Sequence, residues 1–320
     1  MALRMDMNIY ALYRNPIYRA YPEVFLRRLV RTFYHPPHGS QFETTLLWGD
    51  HLTSIYDDEM GPSQWRYGLY DLPLCEVIAR ILQPGDGALD IGANVGQMTL
   101  LMSRAVGLAG WVDSIEPHPA IFRMLQSNVS ESAFKSRITI RQCAISDQNG
   151  TSSLKVPTAY SDNIGICSLE HRDNSGNCIN VRTHTLDTLY ASRDSIDLVK
   201  IDVEEHEYAV FRGAHLLLRR KAIRCIIFEE LDFQHSAIPS LLIGYGYRLF
   251  AINTPAKVVE EPICNAADNP KACNYLALRD LDDAERIRTP KTLTIRHLAG
   301  NFAHQASEAI GAQGGDQPHR

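Results

Sequence analysis

Hydrophobic and polar positions follow two different periods along the middle of this chain. Apolar runs of roughly four to eight residues, typical of buried strands, alternate with segments whose apolar residues recur about every three to four positions, as on one face of a helix. The predicted strands are 88–91, 111–116, 138–145, 196–203, 225–228, 247–252 and 275–278. The predicted helices are 72–82, 97–106, 119–130, 204–219 and 238–242. This alternation predicts a doubly wound, mostly parallel α/β sheet with right-handed crossovers.

The pattern divides the chain into three regions. Residues 1–70 combine an N-terminal helix with short extended pieces and are predicted to cover the main domain. Residues 71–282 carry the alternation and form that domain. Residues 283–320 are polar, with too little apolar content at 311–320 to pack, so they are predicted to be a disordered tail.

The N-terminal region is rich in arginine. The apolar residues on one predicted helix face are Val24, Phe25, Leu29 and Phe33, and the basic residues on another are Arg27, Arg28 and Arg31. One interpretation is a helix that packs on the main domain and leaves its basic side in solvent. The alternative is a weak peripheral contact of residues 1–35 with an anionic membrane surface, although Pro16 and Pro22 interrupt the run.

Composition narrows the class of protein. The chain has 320 residues, 45% hydrophobic and 22% charged, as is ordinary for a globular protein with a substantial core. With a formal net charge of −5 the chain lacks the excess of positive charge that attracts nucleic acid, so no nucleic-acid partner is expected. The seven cysteines form no Cys-x-x-Cys pair, so neither a disulfide framework nor a metal site is predicted. With no signal peptide and no stretch of about 20 apolar residues to span a bilayer, we expect a cytoplasmic location.

A glycine-rich turn follows the first strand of the predicted sheet. The spacing Asp90-x-Gly92-x-x-x-Gly96 joins this strand to the next helix. Because glycine lacks a Cβ, such a turn lets backbone N–H groups and a helix N-terminus approach a ligand. Ala93 stands where a dinucleotide-binding turn has its second glycine, and the charge of Asp90 favours a ligand with a cationic or amino-acid end over a pyrophosphate. The turn alone leaves a nicotinamide-dependent oxidoreductase open as an alternative.

Acidic and polar residues follow the other predicted strands at their carboxyl ends, where sheets of this kind bind ligands. Glu116 lies about 20 residues beyond the turn, the distance at which an acid accepts hydrogen bonds from ribose hydroxyls. The remaining residues at strand ends are Ser146, Asp147, Asp202, Glu204, Glu229 and Glu230. Lys200 points to the same side of its strand as Asp202, which predicts an ion pair between them.

Four motifs occur in order along the chain. They are Leu89-Asp-Ile-Gly-Ala-Asn-Val-Gly-Gln-Met-Thr99, Ser114-Ile-Glu-Pro-His-Pro119, Ala144-Ile-Ser-Asp-Gln-Asn-Gly150 and Leu198-Val-Lys-Ile-Asp-Val-Glu-Glu-His-Glu207. Over roughly residues 70–255 the chain resembles the FkbM family of S-adenosylmethionine-dependent methyltransferases. The resemblance implies a class I, Rossmann-like methyltransferase fold, a seven-stranded sheet whose last strand is antiparallel, and S-adenosylmethionine as the cofactor.

The resemblance also implies roles for individual residues. Those implied to bind the cofactor are Asp90, Gly92, Ala93, Asn94 and Gly96 at its methionine end, Glu116 at the ribose, and Ala144, Ser146 and Asp147 near the adenine. Those that match the Lys-Ile-Asp-Val-Glu-x-x-Glu signature, and are the catalytic candidates, are Lys200, Asp202, Glu204 and Glu207.

Among the catalytic candidates, Asp202 ends the central strand and is the first choice for base or acceptor anchor, ahead of Glu204. Glu204 and Glu207 also suit a helix N-terminus on dipole grounds alone. Glu205 stands where the family commonly has glycine. If that glycine lets a substrate approach the backbone, Glu205 would narrow the pocket.

The expected function is O-methylation of a hydroxyl on a sugar, glycan or small natural product, with a small-molecule or glycan acceptor as partner. Two alternatives stay open. One is a methyltransferase-fold binding module without catalysis, and the other is the nicotinamide-dependent oxidoreductase. Residues 1–69 lie outside the resemblance, so the choice of acceptor has the least support.

Overall fold

The computed structural model describes residues 18, 21–56, 60–156, 177–252, 272–288 and 294–300. In chain order its strands are β1 (Gln41–Thr45), β2 (His51–Ile55), β3 (Gly87–Ile91), β4 (Trp111–Ile115), β5 (Ile138–Arg141), β6 (Ala144–Ile145), β7 (Gly150–Val156), β8 (Asn177–His184), β9 (Ile196–Ile201), β10 (Ile223–Glu229), β11 (Arg248–Ala251) and β12 (Asn274–Leu278). Its α-helices are α1 (Pro22–Phe33), α2 (Gly61–Tyr67), α3 (Leu72–Ile81), α4 (Gln97–Val106), α5 (Pro119–Glu131), α6 (Leu186–Leu189), α7 (Glu207–Arg212), α8 (His215–Arg219), α9 (Ile238–Gly244), α10 (Leu281–Arg288) and α11 (Ile295–Gly300).

The main sheet has seven strands in the spatial order β11-β12-β10-β9-β3-β4-β5. The strands from β10 to β5 run parallel, whereas β12 is antiparallel to both β10 and β11. This confirms the predicted mostly parallel sheet with an antiparallel last strand. At its centre β9 pairs with β3, so that Lys200 lies beside Asp90.

Both faces of the main sheet are buried. Leu198 of β9 packs in a core with α3 and α4 on one face, and its neighbour Val199 packs with α7 and α8 on the other. Successive strand residues point to opposite faces, so a sheet covered on both sides requires apolar residues at every position. The strands of the main sheet are continuous apolar runs because helices cover the sheet on both faces.

The single strand predicted at 138–145 is wrong. Residues 138–141 form β5 in the main sheet, but β6 leaves it and joins a separate three-stranded sheet in the order β6-β8-β7. Arg141 ends β5 with its guanidinium on the carboxylate of Asp113, 2.9 Å away. The apolar run continues to Ile145 because Cys143 and Ile145 are also buried. An apolar run shows which residues are buried, but it does not show with which strand they pair.

The single helix predicted at 204–219 is also wrong. Glu204 and Glu205 have φ angles of +55° and +69°, so the helical backbone begins only at Glu207. It is then broken between α7 and α8 at Gly213. A Cβ on Gly213 would lie 2.1 Å from the carbonyl oxygen of Ser146, and this close approach fixes a glycine there.

The helix α1 keeps only part of its predicted orientation, because Val24 and Phe25 pack on the core as expected but the basic side faces the domain as well. Arg27 donates a hydrogen bond to the carbonyl oxygen of Thr45 (2.8 Å), and Arg31 donates one to that of Trp65 (2.8 Å). Phe33, which was expected to pack inward, is exposed instead. The basic side faces the domain because the carbonyl oxygens at the ends of β1 and α2 need hydrogen-bond donors, which arginine supplies and an apolar side chain does not. Of the predicted N-terminal region, residues 1–17 lie outside the described residues.

The predicted disordered tail is wrong for residues 283–288 and 294–300, which belong to α10 and α11. The carboxylate of Glu76 on α3 accepts hydrogen bonds from the backbone N–H groups of Thr294 (3.0 Å) and Ile295 (3.1 Å). Residues 289–293 and 301–320 lie outside the described residues. Within the described residues, none of the helices has the length and apolar content that a membrane span requires.

We expect Glu76→Ala to release α11 from α3. The same carboxylate forms a buried ion pair with Arg80 (3.0 Å), so its loss removes two helix-capping hydrogen bonds and leaves a buried guanidinium with no carboxylate to balance its charge. The expected cost is roughly 3–5 kcal/mol of unfolding free energy. Urea unfolding measures it, with Glu131→Ala at the exposed end of α5 as control. Unchanged hydrogen exchange at 294–300 in the variant would contradict this role of Glu76.

Candidate active site

A cleft opens at the carboxyl ends of β3, β4, β9 and β10, where sheets of this type bind ligands. Its polar lining residues are Gln64, Tyr70, Asp71, Asn94, Gln97, Glu116, Lys200, Asp202, Glu204, Glu229 and Asn274. Its apolar lining residues include Met60, Leu74, Ile91, Ala93, Pro117, Ile121, Cys143, Ala144, Ile145 and Leu154. The cleft therefore combines a wall of carboxylates and amides with an apolar wall.

The glycine turn forms the floor of the cleft. Gly92 has a φ of +75°, and a Cβ built on it would lie 1.8 Å from the carbonyl oxygen of Asp202, so the ends of β3 and β9 meet only through a glycine. Asn94 also has a left-handed backbone (φ +50°), which asparagine tolerates better than most residues. Its side-chain oxygen accepts a hydrogen bond from the N–H of Val95 (2.7 Å), which fixes the turn.

Not all of the predicted turn residues reach the cleft. Among the described lining residues are Gly92, Ala93 and Asn94, but not Gly96. Gly96 has a φ of +97° at the start of α4, and a Cβ there would lie 2.6 Å from Leu125, so its role is to let α4 begin close to α5.

The cationic centre of the site is Lys200. Its Nζ lies 3.2 Å from the carboxylate of Asp202 and 3.4 Å from that of Asp90, and it donates a hydrogen bond to the carbonyl oxygen of Gly92 (3.0 Å). Burial alone would lower the pKa of Lys200, but the charges of Asp202 and Asp90 outweigh it and raise that pKa. Lys200 is therefore a fixed cation, and the predicted ion pair with Asp202 is confirmed.

Asp90 supports the site from below. Its carboxylate is fully buried and accepts a hydrogen bond from the hydroxyl of Thr99 (2.6 Å), while its other oxygen faces Lys200. It does not appear among the described residues that line the cleft. The structure thus gives Asp90 the position of a support for Lys200, and its contact with the cofactor stays a prediction.

Glu116 joins two loops and faces the cleft. One oxygen of its carboxylate accepts a hydrogen bond from the N–H of Asn94 (3.0 Å), and the other accepts one from the N–H of His118 (2.8 Å). Burial raises the pKa of Glu116 to about 7. The acid predicted from its distance to the turn therefore lies at the turn itself, where its oxygens can accept hydrogen bonds from hydroxyl groups.

The predicted adenine side is only partly in the cleft. Ala144 lines it, whereas the hydroxyl of Ser146 lies 3.0 Å from Nε2 of His206, and Asp147 forms an ion pair with Arg212 (3.3 Å). Because β6 leaves the main sheet, the residues after it turn toward α7. The surface available to a flat ring is instead apolar and consists of Pro117, Ile121, Cys143, Ala144, Ile145 and Leu154.

The catalytic candidates divide into two groups. Asp202, 39% exposed, and Glu204 both line the cleft. Glu207 is buried, and its carboxylate accepts a hydrogen bond from the N–H of Val203 (2.9 Å); burial raises its pKa to about 7. Glu207 therefore stabilises the loop after β9 from its buried side, away from the cleft. Among the described residues, no group of three or more His, Cys, Asp or Glu is arranged to hold a metal ion.

Glu205 is exposed and does not line the cleft, so the predicted narrowing of the pocket lacks support. Its φ of +69° supplies another reason for the glycine that the family commonly has there. Left-handed backbone is free of cost for glycine and strained for glutamate.

Asp71 is a site residue that sequence reasoning missed. One of its oxygens accepts a hydrogen bond from the N–H of Leu74 and so caps α3 (2.9 Å), and the other accepts one from the amide of Asn274 (3.0 Å). Burial, with a further contribution from the charge of Asp202, raises the pKa of Asp71. The Asp-Leu-Pro sequence is a helix-start signal that could have identified the cap, but nothing local to it indicates the cleft.

Three further residues that line the cleft form hydrogen bonds between residues 60–70, which precede the main domain, and helix α4 within it. The amide oxygen of Gln97 accepts hydrogen bonds from the side chain of Gln64 (3.1 Å) and the backbone N–H of Tyr70 (2.9 Å). Gln97 also donates to the carbonyl oxygen of Tyr70 (2.9 Å). Residues 60–70 are therefore a wall of the cleft.

The sheet order, the glycine turn after β3 and the acid after β4 are those of a class I methyltransferase. The family profile described as "Methyltransferase FkbM domain" matches residues 90–249, half of the 320-residue chain. The chain belongs to the FkbM methyltransferase family and is an S-adenosylmethionine-dependent methyltransferase. This decides against the nicotinamide-dependent oxidoreductase that the glycine turn alone left open.

Similar proteins include the 31-O-demethyl-FK506 methyltransferase FkbM of Streptomyces tacrolimicus, 27% identical over 208 residues that cover 54% of this chain and 77% of that one. Similar solved structures include fibrillarin of Aeropyrum pernix with bound S-adenosylmethionine (14% identity, 64% of this chain and 72% of that chain, TM-score 0.36). Another is the precorrin-6y C5,15-methyltransferase of Geobacter metallireducens (13% identity, 65% and 87%, TM-score 0.38). At these TM-scores neither structure bears on the details of the site.

We expect Glu205→Gly to stabilise the protein. The substitution relieves a left-handed glutamate, which we expect to contribute roughly 1 kcal/mol after the entropy cost of glycine is subtracted. Urea unfolding measures the change. The matched control is Glu131→Gly, the same substitution at the last residue of α5, where the backbone is right-handed and no strain is relieved, so this variant should not gain stability. Equal losses in both variants would show that the φ of Glu205 carries no strain.

Glu207 should make stability depend on pH. Its pKa rises from 4.5 to about 7 on folding, so the folded state binds this proton more tightly. The resulting stability is complete below pH 4.5 and is lost as the pH rises through 7. Glu207→Gln keeps an oxygen for the N–H of Val203 but does not ionise. We expect it to raise unfolding free energy at pH 8 by up to about 3 kcal/mol and to change little at pH 4.

Thermal unfolding at both pH values checks this expectation for Glu207→Gln. Glu131→Gln, at an exposed position, is the control and should leave the pH profile unchanged. A gain in stability that is the same at pH 4 and pH 8 would contradict a raised pKa at Glu207.

Proposed function

We propose that the protein transfers the methyl group of S-adenosylmethionine to a hydroxyl oxygen of a sugar, glycan or other small hydroxylated molecule. The observation that carries this proposal is the Asp202 carboxylate, which lines the cleft beside Gly92 and is held there by Lys200. A carboxylate in that place can accept a hydrogen bond from an acceptor hydroxyl. The name of the Streptomyces relative, which specifies an O-demethyl substrate, supports oxygen as the acceptor atom.

The residues of the cleft fit the cofactor. The backbone of Gly92, Ala93 and Asn94 would hold its methionine end, and Glu116 would accept hydrogen bonds from its ribose hydroxyls. The apolar wall around Ala144 would receive the adenine ring. When bound, S-adenosylmethionine supplies a methyl group already activated by a sulfonium charge.

Because the methyl group is already activated, the protein contributes mainly by orienting the acceptor. Correct placement of two reacting groups can lower a barrier by about 7–11 kcal/mol. Asp202 would orient the acceptor hydroxyl and take its proton, a contribution of roughly 10²–10⁴-fold. Lys200 would fix the direction of that carboxylate, and Glu204 is the second choice for the proton acceptor.

The charge of the cleft favours a neutral, hydroxylated acceptor. Its five lining carboxyl groups belong to Asp71, Glu116, Asp202, Glu204 and Glu229, and the positive charge of Lys200 is already balanced by two carboxylates. Such a wall repels phosphate groups and offers many hydrogen-bond acceptors to hydroxyls. A nucleic-acid acceptor is therefore disfavoured, in agreement with the net charge of −5.

We expect Asp202→Asn to separate binding from turnover. The variant keeps the shape of the side chain but cannot take a proton, so we expect cofactor affinity within ~3-fold of the wild type and turnover reduced by at least ~10²-fold. Calorimetry with S-adenosylmethionine measures the first quantity. Label transfer from methyl-labelled cofactor into a cell extract, with mass analysis of the product, measures the second and identifies the acceptor.

The matched control for Asp202→Asn is Asp194→Asn, because Asp194 is exposed and is not among the residues that line the cleft. Unchanged turnover in Asp202→Asn would remove that residue from the catalytic role. Cofactor binding by the wild type without any methylated product in the extract would favour the alternative of a non-catalytic binding module.

A further inference from the structure

Asp71 brings to the cleft a carboxyl group that the start of α3 does not require. One of its oxygens accepts a hydrogen bond from the N–H of Leu74 (2.9 Å) and so caps the helix, and its backbone is left-handed, with a φ of +52°. Asparagine caps a helix as well as aspartate does, tolerates the same φ, and avoids the cost of removing an acid from water. The fold alone therefore gives no reason for an acid at this residue.

The second oxygen of Asp71 is fixed by Asn274. The side-chain amide of Asn274 donates a hydrogen bond to it (3.0 Å), and both residues line the cleft. Asn274 is the first residue of β12 and lies opposite Glu229 of β10. An ionised carboxyl group offers about four acceptor positions. The two hydrogen bonds that hold Asp71 therefore leave it the capacity to accept another from a ligand.

Asp71 and Asn274 lie on the opposite side of Asp202 from the residues that fit the cofactor. In the sheet order β12-β10-β9-β3-β4, the glycine turn follows β3 and Glu116 follows β4, whereas Asn274 begins β12. Asp202 follows β9, between these two groups. An acceptor that meets the methyl group beside Asp202 therefore has the side of the cleft toward β12 for the rest of its structure.

The charges at the centre of the site act on Asp71. Burial raises the pKa of Asp71, the charge of Asp202 raises it further, and the charge of Lys200 lowers it. Asp71 thus shares one region of the cleft with the ion pair of Lys200 and Asp202, whose charged atoms are 3.2 Å apart. Two acids in one region, each held in place by a separate partner, can accept hydrogen bonds from two different hydroxyl groups of one ligand.

We propose that Asp71, oriented by Asn274, binds a second hydroxyl group of the acceptor and thereby selects acceptors with at least two hydroxyl groups, such as sugars and cyclic polyols. This inference rests on the proposed methyl transfer, in which Asp202 holds the hydroxyl that is methylated. A site built to bind a hydroxyl rejects an analogue that lacks it, because the polar groups of the site are then left unpaired. Asp71 is a specificity residue in this scheme and takes no proton.

The test uses small alcohols as probes of the full chain saturated with S-adenosylhomocysteine, the demethylated cofactor. The probes are cyclohexanol and the three positional isomers of cyclohexanediol, which share one ring and differ in the second hydroxyl. We expect at least one diol to bind at least ~10-fold more tightly than cyclohexanol in a ligand-observed NMR titration, because a hydrogen bond to a charged group contributes about that much affinity.

Asp71→Asn should reduce this preference for the diol to within ~3-fold. The variant keeps the helix cap and the left-handed backbone, but it presents an N–H donor where the acid presents an acceptor. Its affinity for S-adenosylmethionine, measured by calorimetry, should equal that of the wild type. The matched control is Asp194→Asn, which removes an acid from an exposed position outside the described lining of the cleft and should leave both affinities unchanged.

The double variant Asp71→Asn, Asn274→Asp separates ligand binding from structural support. It exchanges the amide and the carboxyl group and so restores a hydrogen bond between the two side chains. We expect its urea unfolding to match that of the wild type, while its preference for the diol stays lost. Recovery of that preference in the double variant would overturn the proposal, because the pair would then act only by supporting the fold.

Two further results would overturn the proposal. One is equal binding of cyclohexanol and all three diols by the wild type, or binding of none of them. The other is a loss of S-adenosylmethionine affinity in Asp71→Asn, which would assign Asp71 to the positively charged sulfonium group of the cofactor. Failure of the proposed methyl transfer appears separately, as the absence of label transfer from the wild type into a cell extract, since binding of the diols does not require turnover.

Discussion

The site depends on one buried cation between two carboxylates. Lys200 lies in the middle of the sheet, within 3.4 Å of Asp90 below and 3.2 Å of Asp202 above, and it also binds the carbonyl oxygen of Gly92. Removing the ammonium group would leave a fully buried carboxylate at Asp90 with only a hydroxyl partner, and an uncompensated buried charge is strongly destabilising. The same ion therefore stabilises the centre of the fold and aims the exposed carboxylate of Asp202 into the cleft.

Around this cation the backbone is held in conformations that most residues avoid. Gly92 and Asn94 on the β3 side, and Glu204 and Glu205 on the β9 side, all have positive φ angles. Strain of this kind persists only where surrounding structure imposes it, and it concentrates at functional sites. Here the constraints are the contact of Gly92 with the Asp202 carbonyl and the hydrogen bond from Val203 to the buried Glu207. The loop that presents Asp202 and Glu204 is thus fixed at both of its ends.

The sequence allowed prediction of features that a local pattern determines. The central strands, the turn at Gly92 and the acid at Glu116 all follow from apolar runs or fixed spacings. Features that depend on direction or on distant partners could not be predicted. Burial of Asp90 becomes evident only when β3 pairs with β9, and the inward arginines of α1 require acceptors on β1 and α2. A pattern of apolar residues records which positions are covered, and it does not record what covers them.

The two sides of the cleft have different origins in the chain. The family match spans residues 90–249, which include the glycine turn, Glu116 and the loop after β9. The opposite wall comes largely from outside that span, from residues 60–71 and from Asn274, and Asp71 joins the two by its hydrogen bond to Asn274. The matched span thus contains the proposed cofactor contacts and Asp202, the proposed anchor of the acceptor hydroxyl, whereas the rest of the surface that an acceptor would contact comes from segments beyond the match. The preferred acceptor should therefore vary among relatives that share the motifs, because much of the surface that would contact the acceptor lies outside the motifs.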